Sequence, residues 1–166
     1  MSLVLVRIDD RLIHGQVVVG WGKALSPKRI VLCSDEVAKS DWQKKIYLSA
    51  VTEDMKASVL TIPETIKAIK NKEFEDERVI LLADSPKTIV ALVNQDIEIK
   101  SLNIGGMHFK PGKKQIASFI FVDDDDIENF NILYKQGVKL EGRDVPTCAS
   151  VDIAQILGFD EDEPSE

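Results

Sequence analysis

The chain has 166 residues, of which 44% are hydrophobic and 30% charged, so it fits one compact domain with a continuous core. Its net charge of −7 argues against nucleic-acid binding, which requires clustered Lys and Arg. No apolar run is long enough to span a membrane, and the N-terminus lacks the pattern of a signal peptide. We therefore expect a cytoplasmic protein that is peripheral rather than integral at any membrane. The two cysteines, Cys33 and Cys148, show neither a disulfide framework nor metal-ligand spacing.

Short apolar runs alternate with longer amphipathic runs along the chain. The strand-like runs are Leu3–Ile8, Arg29–Cys33, Ala57–Ile62, Arg78–Ala83, Ser101–Ile104, Ala117–Val122 and Lys139–Val145. This alternation predicts an α/β fold, with an open, mostly parallel central sheet of about seven strands and helices on both faces. The short Gly-rich and Lys-rich connection after Ser101–Ile104 favours one antiparallel strand near the edge.

Periodicity and capping residues predict the helices between these strands. Predicted starts lie near Gly15, at Ser40, at Ser85-Pro86, in the Asp123–Asp126 run and at Ser150. The second of these helices extends to Val51 and is predicted to bury Trp42, Ile46 and Ala50. We interpret Asp123–Asp126 as complementing the helix dipole rather than as a metal site.

The boundaries of the domain follow from composition. Residues 1–158 are predicted to form a single domain without repeats or linkers. The segment Phe159–Glu166 is acidic and contains a proline, so we predict that it is disordered.

The loops after the first, fourth and fifth strands are the candidate places for chemistry, because ligands bind beyond the carboxyl ends of strands in open parallel sheets. In the first loop His14 stands just before a predicted helix, with Arg7 and Arg11 close in sequence. A neutral imidazole is a competent nucleophile toward phosphorus. Arginine forks, free helix N–H groups next to Gly15 and the Gln16 amide would bind the phosphoryl oxygens.

Three other residues are candidates with more than one interpretation each. Asp10 is predicted either to hold Arg11 or to accept the His14 ring N–H, and otherwise to be a turn aspartate. Ser85 is predicted to cap its helix and to be able to donate to a phosphate as well. His108, after Gly105-Gly106, is predicted either to contact a phosphate or partner in the same cleft or to have a surface role.

Other interpretations of these patterns remain open at this stage. A lone loop histidine is usually a solvated side chain, and arginines near aspartates usually form surface ion pairs. A receiver domain phosphorylated on aspartate would use Asp9-Asp10, but it requires an acceptor aspartate after the third strand, where the chain has Thr61-Ile-Pro-Glu64. A nucleotide-binding module lacks support, because neither a G-x-G-x-x-G nor a P-loop motif is present.

The first loop also carries a family resemblance. The run Val6-Arg-Ile-Asp-Asp-Arg-Leu-Ile-His-Gly-Gln-Val17 resembles the phosphorylation-site signature of IIB components of the mannose/fructose/sorbose-type sugar phosphotransferase system (PTS). The likeness continues through Asn103–His108, Val122–Asp124 and Gly137–Glu141 to Val145–Thr147. The chain departs from the expected pattern at Cys148-Ala-Ser150, where a polar, often lysine-containing turn is usual.

The resemblance implies a function as well as a fold. It implies a protein-N(pi)-phosphohistidine–sugar phosphotransferase in which His14 accepts phosphate from the IIA protein on its pros nitrogen. The phosphoryl group then passes to a sugar during uptake through the membrane subunits IIC and IID. Arg7 and Arg11 are the implied phosphate-facing residues, with Ser85 a further contact. The scheme requires neither a metal nor a cofactor.

Overall fold

The computed structural model describes residues 2–162, except for the side chains of residues 161 and 162. Nine strands are described: β1 Ser2–Asp9, β2 Arg29–Cys33, β3 Lys56–Leu60, β4 Arg78–Ala83, β5 Ser101–Gly106, β6 Lys114–Ala117, β7 Ile120–Val122, β8 Lys139–Gly142 and β9 Val151–Asp152. The helices are α1, with a π-helical part Gln16–Trp21 and an α-helical part Gly22–Leu25, then α2 Asp35–Ala38, α3 Asp41–Leu48, α4 Ile62–Lys70, α5 Pro86–Val93, α6 Asp124–Lys135 and α7 Ile153–Ile156. Within this described part, no helix is both long and apolar enough to cross a membrane.

The central sheet has seven strands in the order β3-β2-β4-β1-β5-β8-β9. The first six are mutually parallel, and β9 pairs antiparallel with β8 at the edge. Helices cover both faces, so alternate residues of the inner strands enter two different cores. Val79 and Leu81 of β4 pack with Ile89 of α5, whereas Ile80 and Leu82 pack with Val17 of α1. The predicted fold class is confirmed, because strands buried on both faces read as continuous apolar runs.

Three of the strand predictions were wrong in their details. The predicted strand Ala57–Ile62 ends at Leu60, because Thr61 caps α4. Residues 117–122 do not form a central strand: β7 pairs antiparallel with β6 in a separate two-stranded sheet. The predicted strand Lys139–Val145 ends at Gly142. Beyond it the carbonyls of Arg143 and Asp144 turn to accept hydrogen bonds from Arg7, so they cannot continue the ladder.

Helix α3 begins after Ser40, as predicted, but its inner face was assigned incorrectly. Trp42 and Ile46 are 65% and 52% exposed, and Ala50 is also exposed beyond the end of the helix. Half-buried Tyr47 packs against the core instead. The predicted face is therefore a solvent-facing surface of the molecule.

The C-terminal segment is ordered further than predicted. Residues Phe159–Asp162 form a 3₁₀ turn, and the Phe159 ring is buried against Tyr134 with 5.6 Å between ring centroids. The prediction of disorder is wrong for these residues, because an apolar ring fills a gap beside α6. Its remaining part, residues 163–166, lies outside the described residues. The predicted helix from Ser150 also differs, because Val151–Asp152 form β9 and α7 begins at Ile153.

Candidate functional site

Asp9 is the centre of the candidate site, at the carboxyl end of β1 with a side chain that is 0% exposed. Its Oδ2 accepts from the Nη2 groups of Arg7 at 3.0 Å and of Arg11 at 2.9 Å. Its Oδ1 accepts the Nε–H of Arg11 at 2.9 Å and the backbone N–H of Arg11 at 3.1 Å. Burial by itself would raise the pKa of Asp9, but the hydrogen bond from Arg11 and the charges of both arginines lower it. Asp9 is therefore an ionised, buried anchor.

Arg7 lies beneath the site rather than at its surface. Its side chain is 0% exposed, and its guanidinium donates to the carbonyls of Arg143 at 2.8 Å and Asp144 at 2.7 Å. It also donates to the Asn103 side chain, and its Cζ lies 5.2 Å from the centroid of the Trp21 ring. Burial lowers the pKa of Arg7, and the Asp9 carboxylate opposes that shift. Arg7 thus joins β1, β5 and the loop after β8.

Arg11 is the arginine that reaches solvent, with a side chain that is 29% exposed. Its fork grips Asp9, its Nη2 lies 3.2 Å from Asp144 Oδ1, and its Nη1 donates to Gln16 Oε1 at 2.6 Å. The hydrogen bond to Asp9 raises the pKa of Arg11, so the guanidinium stays charged. This arrangement places a fixed positive charge beside the start of α1.

His14 lies just before α1, with a side chain that is 20% exposed. Its Nδ1 lies 2.8 Å from the carbonyl of Leu12, so Nδ1 carries the proton in this arrangement. Its Nε2 is buried without a hydrogen-bond partner and lies 3.7 Å from Asp9 Oδ2. Leu12 holds its carbonyl toward the ring with a positive φ of 64°, a conformation that is costly for a side chain of this size.

Two glycines allow the end of β5 to lie against Arg7 and Asp9. A Cβ at Gly105 would lie 1.9 Å from Arg7 Cζ, and one at Gly106 would lie 3.0 Å from Asp9 Oδ1. Gly15 differs, because nothing lies within 4 Å of a Cβ built there and its φ of −53° is helical. The fold therefore does not require glycine at position 15.

The structure brings His14, Arg11, Gly15 and Gln16 together above Arg7, whereas Asp10, Ser85 and His108 form other contacts. Asp10 contacts neither Arg11 nor His14 through its carboxylate; it accepts the backbone N–H of His108 at 2.7 Å and faces the His108 ring. Ser85 stands at the start of α5 but forms no side-chain cap, and its hydroxyl lies 3.3 Å from that of Thr88. Ser85 borders a groove of about 460 Å³ whose described lining includes Asp10 and Leu12 but not His14.

Sequence reasoning missed the central role of Asp9 and the contributions of Asn103 and Asp144. Asp9 carried a signal, because it is the last residue of a buried strand between two arginines. Asn103 sits in an apolar strand and is 4% exposed, so a buried polar residue in β5 was a second signal. No signal in the sequence marked Asp144, because its position depends on where β8 ends.

Comparisons with known proteins place the chain in a family. The family model described as "PTS system sorbose subfamily IIB component" matches residues 3–166. The sorbose-specific EIIB component of Klebsiella pneumoniae is 39% identical over 153 residues, which cover 92% of this chain and 93% of that protein. The fructose-specific EIIB component of Bacillus subtilis is 39% identical over 157 residues, which cover 95% and 96% of the two chains.

A fused relative and a solved structure agree with this assignment. The mannose-specific EIIAB component of Escherichia coli K12 is 40% identical over 157 residues, which cover 95% of this chain and 49% of that protein. The crystal structure of the IIBSor domain of the Klebsiella pneumoniae sorbose permease superposes with a TM-score of 0.91 at 37% identity, over 96% of this chain and 98% of that one. The chain belongs to the sorbose subfamily of PTS IIB components, which are sugar phosphotransferases that carry phosphoryl groups in sugar uptake.

Proposed function

We propose that His14 is the phosphoryl carrier of this IIB component. The observation that carries the proposal is the position of His14 at the start of α1, beside the charged Arg11 fork and the buried Asp9 carboxylate. A helix start supplies unpaired backbone N–H groups, and arginine supplies directional charge-assisted donors. These groups would stabilise the phosphoryl oxygens without blocking the approach of a donor over Gly15.

The positions of the hydrogen bonds suggest how the ring is prepared for attack. For phosphorylation on the pros nitrogen, which is Nδ1, the ring must leave the Leu12 carbonyl and carry its proton on Nε2 instead. Asp9 Oδ2, 3.7 Å from Nε2, is placed to hold that proton and to stabilise the positive charge that develops on the ring. The pair of electrons on Nδ1 then forms the new N–P bond while the donor nitrogen keeps the electrons of the old one.

We assign different roles to the two arginines. Arg11 contacts the phosphoryl group, with Nη1 exchanging its bond to Gln16 for one to a phosphoryl oxygen. Arg7 holds Asp9 and the loop after β8 in place from below, because its guanidinium is fully buried. Arg7 therefore has a positioning role instead of the expected phosphate contact.

The partners proposed are a IIA protein as donor and a sugar presented by the membrane subunits IIC and IID as acceptor. Support for the donor comes from the Escherichia coli relative, whose name joins IIA and IIB in one chain. Transfer between two N–P bonds and then to a sugar hydroxyl requires mainly in-line positioning and spread of charge. We propose that this takes place on the cytoplasmic side of the membrane.

The test is phosphorylation from labelled phosphoenolpyruvate with the general PTS proteins and a cognate IIA, followed by a chase with sugar and membranes containing IIC and IID. Wild type should acquire acid-labile, base-stable label and lose it to sugar. His14→Ala should transfer no label to sugar. Sugar phosphorylation by His14→Ala at the wild-type rate would overturn the proposal.

A further inference from the structure

The second histidine, His108, forms an ordered pair with Asp10 outside the His14 cluster. The Asp10 carboxylate accepts the backbone N–H of His108 through Oδ2 at 2.7 Å and contacts the ring Nδ1 through Oδ1 at 2.5 Å. A carboxylate can only accept, so Nδ1 carries the proton and the ring has a fixed tautomer. The unprotonated nitrogen of neutral His108 is therefore Nε2.

The two histidines differ in which nitrogen a donor can reach. The His108 side chain is 61% exposed, and its Nδ1 is turned to the carboxylate. In His14 the Nδ1 faces a backbone carbonyl and the Nε2 is buried. In this arrangement His108 is the histidine that presents a lone pair to solvent.

The loop that carries His108 is held in place on both sides. The backbone N–H of Asp10 donates to the carbonyl of Gly106 at 2.9 Å, which ties the loop to the end of β1. The Phe109 ring packs edge-on against Phe121, with 5.7 Å between centroids. Lys110 follows, exposed and without an ion pair among the described side chains of residues 2–160. A fixed histidine with a cation two residues away resembles the surroundings that a phosphoryl group requires.

We infer that His108 Nε2 is a second phosphoryl acceptor of this chain, supported by Asp10 as a positioning residue. The Nε2 lone pair forms the new N–P bond, the donor N–P bond breaks, and the donor nitrogen keeps its electron pair. The proton on Nδ1 stays in the hydrogen bond to Asp10, whose negative charge stabilises the cationic ring. The inference rests on the proposed function only for its donor, the phosphohistidine of a IIA protein.

The experiment compares wild type, His14→Ala and the double variant His14→Ala/His108→Gln, each phosphorylated by phospho-IIA and examined by ³¹P NMR in alkaline buffer. His14→Ala should be phosphorylated slowly and should give the resonance of the tele isomer of phosphohistidine, which carries the phosphoryl group on Nε2. The double variant should not be phosphorylated. An active donor that leaves His14→Ala unlabelled would overturn the inference while leaving His14 as the carrier.

A second measurement tests the pair of His108 and Asp10 without a partner protein, in a chain that retains His14. Wild type and Asp10→Ala are treated with phosphoramidate, a small phosphoryl donor, and the modified histidine is identified by fragmentation mass spectrometry. Label on His108 should fall about 10- to 100-fold in Asp10→Ala, because the ring loses its fixed tautomer and its charge partner. Equal labelling of His108 in the two proteins would show that Asp10 does not prepare the ring and would overturn that part of the inference. Label on His108 but never on His14, with either donor, would instead contradict the proposed function.

Discussion

Asp9 ties the candidate site to the stability of the fold. Replacing it by asparagine leaves the buried Arg7 guanidinium without its carboxylate, and breaking a buried pair in this way costs about 3 kcal/mol or more. Because the pKa of Asp9 is lower in the folded chain, its contribution to the free energy of unfolding is complete above the ordinary carboxyl pKa of about 3.9 and is lost as the pH falls below it.

Urea unfolding should therefore show a large difference in the free energy of unfolding between wild type and Asp9→Asn at pH 7. This difference should narrow toward pH 3. Asp10→Asn is the matched control, because Asp10 pairs with His108, whose side chain is 61% exposed, and its replacement should cost less than about 1 kcal/mol. A difference between wild type and Asp9→Asn that stays constant over this pH range would contradict an ionised Asp9.

Arg11 is predicted to act through the shape of its fork as well as its charge. Lysine cannot hold Asp9 through two donors and still reach Gln16 or a phosphoryl oxygen, so Arg11→Lys should slow phosphorylation by IIA about 100-fold. Arg29→Lys is the control, since Arg29 grips Glu77 through the same kind of fork at the other end of the sheet. Its phosphorylation rate should equal that of wild type. A wild-type rate in Arg11→Lys would remove Arg11 from the transfer step.

A substitution at Gly15 should affect the stability of the fold and the rate of phosphoryl transfer in opposite directions. Gly15→Ala fits the helical backbone without a clash and should raise the free energy of unfolding by about 0.5 kcal/mol. The added methyl group would crowd a phosphoryl group on His14, so the transfer rate should fall about tenfold or more.

Gly20→Ala provides the comparison within the same helix, because its Cβ would make only an ordinary contact, 3.7 Å from Pro146 Cδ. Gly20→Ala should retain the wild-type transfer rate. Stopped-flow phosphorylation and thermal unfolding of both variants measure the two effects. Equal transfer rates for Gly15→Ala and wild type would indicate that nothing approaches His14 over this residue.

At the scale of the element, helix ends show what local sequence decides. Helix α4 was not predicted, because Thr61 and Ile62 were assigned to the strand Ala57–Ile62. The Thr61 hydroxyl accepts the Glu64 N–H, and the Glu64 carboxylate accepts the Thr61 N–H, which is a complete capping box. A Thr followed three residues later by Glu was therefore the available signal.

The capping box predicts a difference between two hydroxyl residues at helix starts. Thr61→Ala should lower the free energy of unfolding by about 1 kcal/mol, because the backbone N–H of Glu64 loses its hydrogen-bond partner, the Thr61 hydroxyl. Ser85→Ala should change it by less than about 0.5 kcal/mol, because Ser85 occupies the cap position of α5 without forming the bond. Chemical denaturation of wild type and the two variants measures both changes in the free energy of unfolding. An equal cost for both would contradict this reading of the caps.

Helix α3 illustrates the limit of periodicity. A four-residue spacing of Trp42 and Ile46 identifies one face of a helix but not the side on which the core lies. Tyr47, one position further, carries the packing contact. Only the direction in which the loop from β2 returns to β3 decides which face is inward, and that direction depends on tertiary contacts rather than on the sequence of α3.

At the scale of the molecule, most of the fold and part of the site could be predicted. Short apolar runs, several of them nearly continuous, located six of the seven central strands, since burial on both faces leaves a strong pattern in the inner strands. The edge strand β9 is two residues long and leaves almost none. The site loop was predicted from one segment of sequence, but its support comes from Asn103, Arg143 and Asp144, more than 90 residues away in the chain. Such contacts arise only when β1, β5 and β8 become neighbours.

The proposed function depends on His14 as the residue that holds the phosphoryl group. The most direct measurement is fragmentation mass spectrometry of the wild-type chain after phosphorylation by IIA, kept alkaline to preserve the N–P bond. We expect the modification to map chiefly to His14, and its loss to parallel the appearance of sugar phosphate when membranes and sugar are added. Modification that maps entirely to other residues, with sugar phosphate still produced, would contradict the proposed function.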